Sequence, residues 1–322
     1  MTAQPRVPGR EGKAPARIAL IEKNRGAYWD MVNAGALDAG RRLGVTVLAD
    51  APEYESLDEQ LALVHRYLDE GVDGLAFVAT SQTAFTDTVA AGRRRGVPII
   101  TMDLDAPDSG RLMYVGMLAP VEMGRQAGRL MLDALGERRK VAVQTGSADA
   151  HGATGKLAGF TEVMTAAGVE VVGGDNDGER LDAAERNAHR LLSEHPDIGG
   201  FFGVYGYHAP VQARAVEAAG RDDIAIIGFD MLPETVAAIE AGTVRASIWI
   251  REYYFGYYAV AALANLARLG DEETLTLLGL RTDDLTGNLL RPQPLVVDRD
   301  NVGQFRAWAR GLDLESRIAA TL

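Results

Sequence analysis

The sequence predicts an α/β protein made of two doubly wound parallel-sheet lobes in series. Three observations carry that prediction. Short apolar, β-branched runs alternate with segments of helical periodicity along nearly the whole chain, which is how parallel strands with right-handed crossovers read. The alternation breaks once, near Met117, and then starts afresh. With 322 residues, 47% of them hydrophobic and 24% charged, the chain can bury two globular cores.

The first strand is the apolar run at 18–21, Ile-Ala-Leu-Ile. It leads through Lys23, Asn24, Arg25 and Gly26 to a helix opened by Tyr28 and Trp29, periodic over 29–43 and stopped at Gly44. A polar loop with an aromatic pair at the C-terminal end of a first parallel strand is where open α/β sheets take small molecules. Residues 45–49 form a β-branched strand, and 56–70 a helix with Ser56 as N-cap and Glu59 completing a capping box. A strand at 74–79, a helix at 83–95 and a strand at 97–103, introduced by Gly96 and Pro98, follow. Residues 104–116, with Pro107 and Gly110, read as irregular.

The second run places helices at 120–135, 154–167, 181–194 and 209–219, and a short one from Pro233. Its strands fall at 140–145, 169–173, 200–205, 224–229 and 245–250. A long helix at 253–269 and a final strand at 292–297 are left over. The simplest arrangement has the chain cross back to the first lobe there, so that several strands join the two.

Composition removes several function classes. A net charge of −12 lacks the basic stripe that nucleic acid requires, and no apolar run approaches a membrane span. The absence of cysteine excludes disulfides, thiolate metal sites and cysteine nucleophiles. Residues 1–16 read as a disordered or added N-terminal stretch without the apolar region of a signal peptide, so either the protein is cytoplasmic or a leader lies upstream. Chemistry-bearing motifs fail on inspection. Gly155-Lys156 ends like a phosphate loop, but Ala150 stands for its leading Gly and Leu157 for its Ser/Thr. Ser147 has no nucleophile elbow, and the five His show no zinc spacing. Asp175-Asn176-Asp177-Gly178 starts like a calcium loop, but Arg186 occupies the position of the closing Glu, so it reads as a turn. No catalytic residue, metal or cofactor is expected.

In order and spacing, a set of landmarks resembles the type I periplasmic binding proteins of ABC sugar importers, the ribose-binding-like group. They are Tyr28-Trp29, the run from Pro98 to Asp103, Lys156 ahead of Gly159-Phe160, His195-Pro196-Asp197-Ile198, the run from Ile226 to Asp230, that from Gly242 to Ile248, and that from Val297 to Val302. The resemblance spans about residues 17–308. It implies two similar lobes joined by three crossovers, a periplasmic-binding-protein-like I fold, and a sugar-sized ligand clamped by hinge closure. The first lobe would be 17–117 with 251–288, the second 118–250 with part of 289–297, and the tail 298–322 would pack on the first. It further implies a monomer outside the cytoplasm, periplasmic or anchored at the cell surface, that delivers a sugar or polyol to a membrane permease. The alternative is the cytoplasmic effector core of a repressor of the same fold, but residues ahead of Arg17 are too few and too Pro-rich for a helix-turn-helix.

Carried onto this sequence, the resemblance names the candidate site. Tyr28 and Trp29 would stack on the ligand, unless one is the helix's core anchor. Asp103 and Asp230 end equivalent strands and would bind hydroxyls, or else cap the following helices. Lys23 and Asn24 sit at the first strand's tip, as ligand donors or as a solvated loop. Lys156 stands where ribose-type proteins carry Arg, keeping the charge but losing the bidentate fork. Tyr205, Tyr207 and His208 surround the end of one strand, Asp105 follows Asp103, and Trp249 would either close the site from behind or belong to the core. Leu104, Tyr205 and Ile250 replace the family's Arg, Asn and Gln. An unpaired ribose hydroxyl costs about 1–3 kcal/mol, so these departures favour a polyol, a deoxysugar or a furanose-like signal over ribose.

Overall fold

The computed structural model describes residues 14–147 and 151–311. In chain order the first elements are β1 (Arg17–Ile21), α1 (Ala27–Leu43), β2 (Thr46–Asp50), α2 (Leu57–Asp69), β3 (Gly74–Phe77), α3 (Thr86–Arg94), β4 (Ile99–Met102) and β5 (Tyr114–Val115). Then come α4 (Pro120–Leu135), β6 (Lys140–Thr145), α5 (His151–Ala166), β7 (Glu170–Asn176), α6 (Leu181–Glu194), β8 (Gly200–Gly203), α7 (His208–Ala218), β9 (Ala225–Phe229), α8 (Pro233–Ala241) and β10 (Ala246–Trp249). The chain closes with α9 (Tyr253–Leu269), α10 (Asp271–Leu277), β11 (Leu289–Leu290), β12 (Leu295–Asp298) and α11 (Val302–Gly311). The described residues divide into two compact units, 14–116 with Tyr253–Leu290, and those of Met117–Glu252 with 291–311.

The first unit holds a parallel six-stranded sheet in the order β11-β5-β4-β3-β1-β2. Alternation along β1 sends Ile18 and Leu20 to one face, into a core with Val32 and Ala36 of α1 and Val260 and Leu263 of α9. Ala19 and Ile21 go to the other face, with Val64 and Leu68 of α2 and Val89 of α3. Both faces are buried, which is why the strand reads as an unbroken apolar run. Gly44 ends α1 in a left-handed turn whose N–H bonds the Gly40 carbonyl, and the Ser56 hydroxyl accepts the Glu59 N–H as the N-cap of α2. Residues 104–116, expected to be irregular, contain a 3-10 turn (Pro107–Ser109) and β5.

The second unit repeats the order. Its sheet runs β12-β10-β9-β8-β6-β7, parallel except for β12, which lies antiparallel to β10. Phe160 of α5 stacks on Phe202 at 4.2 Å, and Phe202 meets Phe229 edge-on at 6.0 Å, forming the aromatic centre of this core. One expectation fails here. The end of the chain was expected on the first lobe, yet β12 pairs with β10, and α11 packs Phe305 and Trp308 against Trp249, 4.9 and 4.7 Å away. Burying three aromatic rings together holds the described part of this tail, to Gly311, in the second unit. Most of the expected N-terminal stretch, residue 150 of the failed phosphate loop and residues 312–322 lie outside the described residues.

Candidate functional site

Each sheet reverses direction beside its first strand, between β1 and β3 in the first unit and between β6 and β8 in the second. Open α/β sheets bind ligands outside the carboxyl ends of the strands at such a switch point.

In the first unit, Asp103 follows β4 directly and adopts a left-handed backbone, φ 60°. Its N–H bonds the Val115 carbonyl, and its own carbonyl accepts the Tyr114 hydroxyl at 2.7 Å. The Asp103 carboxylate is buried and accepts the hydroxyl of half-buried Tyr28 at 2.6 Å. So the structure brings Tyr28 and Asp103 together across 75 residues of sequence. Trp29 is different. It is 3% exposed within the core, and its indole N–H donates to Asn24 Oδ1 at 2.7 Å. Trp29 is therefore the helix's core anchor rather than a stacking surface, and Asn24 spends its carbonyl holding it. Lys23 forms an exposed ion pair with Glu55 at 3.2 Å.

Asp105 is a correction. Both its oxygens are taken by the guanidinium of fully buried Arg111, at 2.7 and 2.6 Å, and one also accepts the Thr101 hydroxyl. Arg111 in turn donates to the Leu285 and Thr286 carbonyls, so the pair ties the returning chain to the sheet. A bidentate pair of this kind is a structural clamp, not a ligand contact.

In the second unit, Asp230 follows β9 at the position equivalent to Asp103, again left-handed at φ 61°. Its N–H bonds the Ile248 carbonyl, and Ser247 Oγ donates to its carbonyl at 2.7 Å. Gly206 runs so close that a Cβ there would sit 2.9 Å from Asp230 Oδ2. Lys156, on α5, places its ammonium 4.1 Å over the Phe229 ring and donates to the Val204 carbonyl at 3.4 Å. Lys156, Asp230 and the 205–207 segment thus gather at the C-terminal ends of β8 and β9. Tyr205 is half-buried, and burial followed by the Glu179 carboxylate pushes its hydroxyl well above the ordinary tyrosine range.

His208 is a further correction, and for Trp249 the structure decides between the two readings in favour of the core. His208 is fully buried, its Nε2 donating to Asp177 Oδ2 at 2.8 Å while its Nδ1 accepts the Tyr205 N–H at 3.1 Å. Tyr207 gives its hydroxyl to the other Asp177 oxygen at 2.6 Å. Trp249 is buried under α11, which removes it from any ligand surface.

Two charged residues escaped the sequence reading. Asp177, read as part of a turn, is the hub for His208 and Tyr207. Glu22, next after the apolar run of β1, is 3% exposed, and burial, then the Asp30 carboxylate, raises its pKa to about 9. A charged residue directly following four apolar ones was the only local signal for it.

A family model described as the periplasmic binding protein domain matches residues 18–272. The chain belongs to that family. Among curated relatives, the ribose import binding protein RbsB of Bacillus subtilis is 24% identical over 81% of this chain and 84% of its own length. RbsB of Escherichia coli is 26% identical over 59% of this chain and 64% of its own length. Among solved structures, GanP, a glucose-galactose binding protein from Geobacillus stearothermophilus, is 26% identical, with a TM-score of 0.74 over 90% of this chain and 99% of that one. Among the described residues of this family member, no helix is long and apolar enough to cross a membrane.

Proposed function

We propose that the chain is the solute-binding component of an ABC importer, and that it takes a sugar, a polyol or a related polyhydroxy compound outside the cytoplasm and passes it, as a monomer, to a permease in the membrane. The carrying observation is a repeated one. Asp103 and Asp230 occupy the same place after the fourth strand of each sheet's doubly wound order, both left-handed. Such a backbone costs an L-residue about 1–2 kcal/mol, less for Asp than for most, and strain of this kind concentrates at ligand sites. The Tyr28 hydroxyl donates to the Asp103 carboxylate, and Lys156, over the adjacent Phe229 ring, brings a cation to the strand end that carries Asp230. Lys23 is a peripheral candidate and Tyr207 borders the second cluster.

The sugar named for the Bacillus and Escherichia relatives is ribose. Leu104 is packed partly against the apolar core and Ile250 is buried, so neither position supplies the polar group that ribose-type proteins carry there. This supports a ligand with fewer or differently placed hydroxyls, and micromolar ribose binding in a calorimetric titration would remove that refinement.

The test is a thermal-shift screen of sugars and polyols. A ligand at 100 times its Kd adds about 2.7 kcal/mol of stability. Asp103→Ala and Asp230→Ala are each expected to abolish the shift, since losing a charge-assisted hydrogen bond in a buried site costs about 1.5–3 kcal/mol. A full shift retained in both variants sinks the assignment of the site.

A further inference from the structure

Asp177, just after β7, and His208, which opens α7 and which burial removes from the site read from sequence, lie 31 residues apart. Their side chains are both fully buried. Because His208 Nδ1 accepts the Tyr205 N–H, the proton of the neutral ring must sit on Nε2, where it donates to Asp177. Asp177 also takes the Tyr207 hydroxyl and the Glu179 N–H on its other oxygen. One carboxylate therefore fixes both ends of the segment that presses against Asp230 through Gly206.

We propose that Asp177 and His208 form a proton-sensitive brace that sets residues 205–207, and with them the surroundings of Asp230, for solute. The part concerning solute rests on the proposed sugar-binding role; the brace itself does not. A second proton on His208 would go to Nδ1, turning the acceptor of the Tyr205 N–H into a donor and setting two N–H groups face to face in a buried place. The groups that face the ring are Asp177 and Glu179 from the chain after β7, Lys156 from α5, and Tyr205 and Tyr207 from its own segment. Burial, first, and the Lys156 charge hold His208 neutral below the ordinary histidine range, against the pull of Asp177 and Glu179. The sign follows from that depression. The contribution of the brace is complete above the ordinary histidine value of 6.5 and is lost as pH falls from there toward the lower folded value.

Amide hydrogen exchange read by NMR, corrected for the intrinsic rate, reports the brace without any ligand. In the native chain, protection of the Tyr205 N–H is expected to fall about tenfold between roughly pH 7.5 and pH 5.5. In His208→Asn, whose Oδ1 can accept the same N–H and does not titrate, protection should stay level. Unchanged native protection, or the same fall in His208→Asn, overturns the brace. Should that variant fail to fold, the imidazole nitrogen shifts of the native chain decide: an Nε2-protonated neutral ring is required, and an Nδ1-protonated one refutes the proposal. For the solute arm, calorimetry with D-ribose, D-arabinose and D-allose should show affinity about fivefold weaker at the lower pH in the native chain but level in His208→Asn. If none of these or of the wider screen binds, the sugar reading fails while the exchange result still decides the brace; binding that is independent of pH while Tyr205 protection falls overturns its link to solute.

Discussion

Glu22 shows what a single buried carboxyl can do to the pH dependence of this fold. It leaves β1 on the face covered by α1, where the Asn33 side chain hydrogen-bonds it, while its Oε1 and the Asn33 Oδ1 are buried oxygens that an ionised carboxylate would leave without a donor. Burial, then the repulsion of Asp30, raises the folded pKa from 4.5 to about 9. Between those values the folded chain keeps a proton that the unfolded chain has lost, so stability falls as pH rises. Glu22→Gln removes the titration and puts a permanent N–H₂ donor in place of one Glu22 oxygen, beside Asn33 Oδ1. It is expected to stabilise the protein by about 2–4 kcal/mol near pH 8 and by little near pH 5, measured by urea unfolding. A stability difference that does not grow with pH would refute the neutral carboxyl. At this scale the sequence was only partly legible. Asp103 and Asp230 stand out because each ends an apolar strand, a local pattern. The fates of Asp105 and His208 were not visible and that of Trp249 stayed open between site and core, because Arg111, Asp177 and α11 reach them from other elements, and no periodicity says which acceptor a donor will choose.

Helix pairs carry the next level, and in both units they cross on glycine. In the first unit, a Cβ at Gly35 of α1 would collide with the Tyr253 carbonyl, and one at Gly256 of α9 with the Val32 carbonyl. In the second, Gly124 of α4 meets the Lys156 carbonyl and Gly159 of α5 the Val121 carbonyl. The same close contact thus seats α1, which bears Tyr28, and α5, which bears Lys156. Gly256→Ala and Gly159→Ala are each expected to cost about 1–3 kcal/mol in chemical unfolding, since backbone cannot yield as a side chain can. Gly303→Ala, on α11 with open space around it, should instead be neutral or stabilise by about 0.5–1 kcal/mol. Equal effects at all three positions would refute the crossing argument. The helices up to α9 were legible from their periodicity and from start and stop signals such as Ser56 and Gly44, whereas α10 and α11 were not read. β5 and β11 were not, because two-residue strands have no period to read.

Across the whole molecule, the chain leaves one unit for the other after Gly116, after Glu252 and after Leu290. The sequence suggested the return from its leftover helix, but the end of the chain went elsewhere because Trp249, Phe305 and Trp308 bury one another, a choice made by packing. The return has an energetic reason in the first unit. Val260 and Leu263 of α9 are fully buried against Ile18 and Leu20 of β1, and Leu263 also packs on Gly74 of β3. Removing such side chains exposes apolar surface at about 1.5–3 kcal/mol for each large residue, and several are lost together, against a total domain stability of about 5–15 kcal/mol. Residues 14–116 alone are therefore expected to show no cooperative thermal transition by circular dichroism. The same segment joined to 253–290 through a flexible Gly/Ser linker should regain one, because it restores α9, the Arg111 clamp on Leu285 and Thr286, and the pairing of β11 with β5. A cooperative transition in the shorter fragment would show that β1 to β5 form a self-sufficient core and that the returning helix is an addition to it.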